Sequence, residues 1–69
     1  MEKIKIHLNG KEQELNSDST VEQVIQKLEL KNSMFVAELN MNIVQKNDYL
    51  TTILKDGDKL EVVTFFGGG

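Results

Sequence analysis

A single helical stripe lies between strand patterns in this chain, and it limits the fold more than any other feature. Val21, Val24, Ile25 and Leu28 fall at i, i+3, i+4 and i+7, which makes one apolar face on a short helix. Glu22, Gln23, Gln26, Lys27 and Glu29 form its wet side. A chain of 69 residues makes one domain with a small core. Nothing else in it can cover a sheet, so the stripe is read as core and not as a partner-binding groove. The sequence contains no cysteine; no disulfide supports the fold and no thiolate can hold a metal. His7 stands alone and cannot make a metal site by itself. Its outward strand phase marks it as a solvated residue.

Two start signals precede the helix. Ser19 with Glu22, and Thr20 with Gln23, both have capping-box spacing. Either oxygen would satisfy an orphaned helix N–H, worth about 1 kcal/mol. Lys31-Asn32-Ser33 is expected to break the helix.

The flanking patterns have period 2. Ile4, Ile6 and Leu8 alternate with Lys3, Lys5 and His7, predicting a half-buried strand. Asn9-Gly10 then supplies the two φ > 0 positions of a type I′ turn. The return strand, residues 11–15, is mostly polar and suits a sheet edge. Residues 34–39 are apolar on both sides, as in an inner strand. Asn40-Met41-Asn42 reads as a turn and Ile43-Val44 as a very short strand. Residues 46–52 suit one 3₁₀ or α turn, expected to bring Tyr49, Leu50 and Ile53 to the core edge. Asp56-Gly57-Asp58 is turn chemistry, with Asp oxygens bonding nearby N–H groups. Residues 59–65 alternate again. If Leu60 and Val62 point inward, Val63 and Phe65 lie on the open face as a docking patch, with Phe66 beyond them. A neighbouring strand or loop covering them is the alternative. The fold class expected is α+β, a ubiquitin-like β-grasp: a mixed sheet of four or five strands with one main helix. Its first and last strands would lie parallel at the centre. Residues 1–66 would form the domain and 67–69 a flexible glycine tail.

Several functions are excluded on composition. The net charge is −3, with eight lysines against eleven acids, and no basic cluster marks a nucleic-acid partner. No apolar run nears the ~20 residues of a membrane span. The start, Met1-Glu2-Lys3-Ile4, lacks the apolar region of a signal peptide, so a cytoplasmic protein is expected. No Ser/His/Asp or Cys/His set and no phosphate-binding glycine loop is present, so no enzyme is expected. The acid pairs Glu12/Glu14 and Asp56/Asp58 have no deep pocket to raise a pKa.

One reactive group is left, the carboxylate of Gly69. Phe65-Phe66-Gly67-Gly68-Gly69 reads as a thin thread that can enter a narrow channel, since glycine carries no Cβ. A frayed end is the plain alternative. A carboxylate is a poor acyl donor, but joining it to AMP supplies a leaving group. A sulfur nucleophile can then give –COSH, a thiocarboxylate that needs no cysteine.

The chain resembles the ThiS family of small sulfur carriers in thiazole synthesis. The likeness runs through the first strand, Thr20-Val21-Glu22 into the helix, and Ala37-Glu38-Leu39-Asn40 to Ile43-Val44. It continues through Asp56-Gly57-Asp58 to the apolar strand before Gly68-Gly69. Gln45 stands where a proline is usual, and Gly67 adds one glycine to the tail. The resemblance implies that Gly69 is adenylated by a ThiF-type, ATP-dependent enzyme. Sulfur would come from cysteine through a desulfurase relay, and the thiocarboxylate would go to a ThiG-type thiazole synthase. Gly67 and Gly68 would thread into the partner, and Val63, Phe65 and Phe66 would dock against it. No cofactor would be bound. Alternatives are a molybdopterin-synthase small subunit, whose chains are usually longer, a lysine-linked protein modifier, and a β-grasp binding module.

Overall fold

A computed structural model describes residues 2–30 and 34–65. Strands β1 (Lys3–Leu8) and β2 (Lys11–Asn16) form a hairpin, followed by helix α1 (Val21–Lys27). Then come β3 (Met34–Leu39), β4 (Asn42–Val44), a 3₁₀ turn (Lys46–Asp48) and β5 (Lys59–Phe65). The strands form one sheet in the order β2-β1-β5-β3-β4. β1 and β5 run parallel, and the other pairs are antiparallel. This is the expected α+β ubiquitin-like β-grasp, with first and last strands adjacent and β5 in the middle.

Local chemistry accounts for the turns. Asn9 and Gly10 take φ of 51° and 85°, the left-handed pair a tight hairpin requires. Asn40 and Met41, at 53° and 73°, repeat the device between β3 and β4. At the Asp56-Gly57-Asp58 turn, Gly57 has φ 88°. Asp58 Oδ2 accepts the Lys55 N–H at 2.8 Å, and Asp56 Oδ1 accepts the Lys5 N–H at 2.8 Å. The second bond ties the turn to β1.

Thr20, not Ser19, caps α1. Its Oγ1 accepts the Gln23 N–H at 3.3 Å, and Gln23 Oε1 accepts the Thr20 N–H at 3.0 Å, the reciprocal pair of a capping box. Ser19 is buried, and its C=O accepts the Leu54 N–H at 2.8 Å. The helix ends with its apolar stripe. Leu28 is its C-cap, and Glu29 turns left-handed at φ 52°, so the break precedes residues 31–33, which lie outside the described residues.

One face of the sheet closes on α1. Ile4, Ile6, Leu15, Ala37, Leu60 and Val62 meet Val21, Val24 and Ile25, with Leu8, Leu28, Phe35, Leu39 and Val44 packed around them. Ile6 and Leu60 are fully buried, each contributing about 1.5–3 kcal/mol of transfer free energy. Phe35 and Tyr49 stack with ring centroids 6.1 Å apart. The loop after the 3₁₀ turn departs from expectation. Tyr49 is buried, but Leu50 and Ile53 are 71% and 56% exposed, and Leu54 fills the core instead. Ile53 is bridged to Thr20 in extended conformation. Alternation along that segment turns Ile53 outward and Leu54 inward.

Candidate functional site

β5 leads the chain from the middle of the sheet toward residues 66–69. Leu60 and Val62 are buried against α1 and Thr64 is half-buried, while Glu61, Val63 and Phe65 point to the face without a helix. Val63 and Phe65 are each 50% exposed, so no described loop or strand buries them. Phe66, Gly67, Gly68 and Gly69 lie outside the described residues.

The register with β3 builds a patch around these two side chains. Phe65 is opposite Met34, and Val63 is opposite Val36; antiparallel partners share a face. Met34 is 68% exposed. On the next strand Ile43, opposite Glu38, adds another exposed side chain. The result is an apolar strip across β5, β3 and β4 on the open face. Its inner border is the pair Glu38 and Glu61, directly opposed. Like charges in that relation destabilise a sheet, and cationic groups on a docked surface would relieve them. Farther across, His7 and Lys59 are paired in register on the same face.

Two asparagines clamp β5 before the strip begins. From the β1 side, Asn9 N–H donates to the Leu60 C=O at 3.0 Å, and Val62 N–H donates to Asn9 Oδ1 at 2.8 Å. From the β3 side, Asn40 N–H donates to the Lys59 C=O at 2.8 Å, and Lys59 N–H donates to Asn40 Oδ1 at 3.0 Å. Asn40 Nδ2 also donates to Asp58 Oδ1 at 3.0 Å. Each asparagine continues its strand's ladder with a side chain after the backbone has turned away.

Sequence reasoning put Val63 and Phe65 on the open face, and the structure brings them together there. It missed Met34, Val36 and Ile43, because strand register is needed to assemble a patch from three strands. It also missed the asparagine clamps. Their visible signal was an asparagine opening each of two turns beside β5.

Among the described residues, no three His, Cys, Asp or Glu side chains gather to hold a metal, and no helix is long and apolar enough to cross a membrane. A groove of about 340 Å³ between α1 and β2, bordered by Leu15, Ser19, Gln23 and Lys27, holds no nucleophile–base pair.

The sulfur carrier protein ThiS of Bacillus subtilis strain 168 is 34% identical over 65 residues, covering 93% of this chain and 98% of that protein. Thiazole synthases of Paramagnetospirillum magneticum and Magnetococcus marinus are 38% and 33% identical over 66 residues. The chain spans only 20% of the length of each of those two. Among solved structures, the thiamine biosynthesis protein ThiS of Geobacter metallireducens superposes with a TM-score of 0.78 at 26% identity. It covers 96% of this chain and 100% of that one. The ThiS family profile matches residues 6–69, and the chain belongs to the ThiS family.

Proposed function

We propose that this protein is the sulfur carrier of thiazole synthesis and that Gly69 carries the sulfur. Its carboxylate attacks the α-phosphorus of ATP on an activating enzyme of the ThiF type and releases pyrophosphate. The terminal sulfur of a persulfide charged by a cysteine desulfurase then displaces AMP to give an acyl disulfide, and a second thiol attacks the relay sulfur of that disulfide, forming a new disulfide and releasing the thiocarboxylate. A ThiG-type thiazole synthase takes the sulfur. The carrier is a cosubstrate and not an enzyme. It holds no cofactor of its own, and the activating enzyme consumes the ATP. The scheme runs in the cytoplasm.

The observation that carries this reading is the end-to-end match to the Bacillus subtilis carrier. The likeness of the chain to a fifth of two thiazole synthases supports thiazole as the destination. The fold suits the role, because β5 anchors the tail at the centre of the sheet and presents Val63 and Phe65 beside it. In this reading Val63, Phe65 and Phe66 dock, while Gly67 and Gly68 thread toward the partner's active site.

The test is intact mass. Incubation with ATP, the Bacillus subtilis activating enzyme and a sulfur source should add about 16 Da, oxygen replaced by sulfur, through covalent activation of the acyl end. An unchanged mass refutes the carrier reading, and adducts on lysines of other proteins would replace it with a modifier.

A further inference from the structure

β5 is paired on both sides for only part of its length. Its odd-numbered residues bond to β3: Asn40 N–H donates to the Lys59 C=O, and the antiparallel register runs on through Val36↔Val63 to Met34↔Phe65. Alternation then turns the backbone groups of Leu60, Val62 and Thr64 the other way. Leu60 C=O accepts the Asn9 N–H, and Val62 N–H donates to Asn9 Oδ1. Pairing with β1 ends at Leu8↔Leu60, where the hairpin turns back into β2. Among the described residues, the Val62 C=O and the N–H and C=O of Thr64 meet no partner.

We propose that these three groups receive an extended backbone segment of the activating enzyme, which adds a short strand beside β5. The proposal rests on the carrier reading above. Gly69 lies five residues past Thr64, no more than about 18 Å at roughly 3.3–3.6 Å per residue. A protein that encloses the acyl end and seats on Val63 and Phe65 therefore also covers the edge between them. Covering an unpaired C=O or N–H without a new hydrogen bond is unfavourable. An acceptor, a donor and an acceptor spaced along one strand match the complementary pattern of a facing strand. The new strand would lie where β1 would have continued, with Asn9 marking its start.

The test uses the full-length, nitrogen-15-labelled protein and the Bacillus subtilis activating enzyme with ATP. Amide exchange at Thr64 should be fast in the free protein and at least tenfold slower in the complex. Thr64→Pro removes the donor but no bond to β3, so the fold should stand. An ester in place of the Val63–Thr64 amide removes the same N–H without proline's constraint on φ. Both should bind the enzyme about tenfold more weakly, the range of one hydrogen bond, while Thr64→Ala binds as the unaltered protein does. Equal exchange in the free and bound states, or undiminished binding by the ester variant, overturns the proposal. So does slow Thr64 exchange in a free protein that sediments as a dimer, since a second copy would then close the edge. If the unaltered protein gains no sulfur in the mass assay, the carrier reading falls and this proposal with it. If it gains sulfur while the edge variants bind normally, only the edge proposal falls.

Discussion

Val62 donates its backbone N–H to Asn9 Oδ1 at 2.8 Å across 53 positions of sequence. A turn residue thereby stands in for the next residue of β1 and holds the central strand just before the docking face begins. Asn9→Ala removes the bond and forces alanine to φ 51°. The expected loss of stability is about 1–3 kcal/mol, from the hydrogen bond and the left-handed backbone together. Asn9→Gly tolerates the φ and should lose only about 1 kcal/mol. Urea titration of both variants separates the two contributions, and equal losses would show that the side-chain bond dominates.

The two faces of β5 should respond in opposite ways. Val63→Asp and Phe65→Asp alter half-exposed positions and should change stability by no more than about 1 kcal/mol, yet weaken binding to the activating enzyme. Leu60→Ala empties a fully buried site and should cost about 2–5 kcal/mol. Thermal melts paired with calorimetric binding check both. Unfolding by either aspartate variant would reverse the assigned faces.

Thr20→Ala removes the helix cap seen at its Oγ1. A loss of about 1 kcal/mol is expected, lowering the melting temperature by roughly 4–8 °C in a domain of this size. Gln23→Ala removes the reciprocal bond and should fall in the same direction by a smaller amount.

The carboxylates of the Asp56-Gly57-Asp58 turn have unequal duties. Among the described residues, Asp58 accepts from Lys55 N–H and Asn40 Nδ2, whereas Asp56 accepts from Lys5 N–H alone. Asp58→Ala should therefore destabilise more than Asp56→Ala, by about 1 kcal/mol, the value of one hydrogen bond. Denaturation midpoints of the two variants, measured side by side, decide the order.

Removing Gly68 and Gly69, or capping the Gly69 carboxyl as an amide, should abolish the gain of sulfur and leave the melting curve unchanged. A capped protein that still supports thiazole formation would overturn the proposed chemistry.

Much of the fold was legible because the chain repeats one rule at a time. The alternation of Ile4, Ile6 and Leu8, the Asn9-Gly10 turn and the four-residue helical stripe each have a single good solution in a chain this short. The choice between Ser19 and Thr20 as cap was not legible, since both spacings are sound and the pairing of Ser19 C=O with Leu54 N–H decides it. Leu50 and Ile53 were misassigned, and Leu54 was passed over, for a related reason. They sit in a polar loop with no period of its own, and the bridge from Ile53 to Thr20 fixes which of them turns inward. On the candidate site, Val63 and Phe65 followed from strand phase alone. Met34, Val36 and Ile43 needed the register of three strands, which local sequence does not encode.

The strand order has a mechanical corollary. Traction on the chain beyond Phe65 runs along the axis of β5, which has β1 on one flank and β3 on the other. The load is shared in shear among the rungs on both flanks. An outermost strand would instead peel away rung by rung. A partner can haul on the last residues without unravelling the body to which they are tethered.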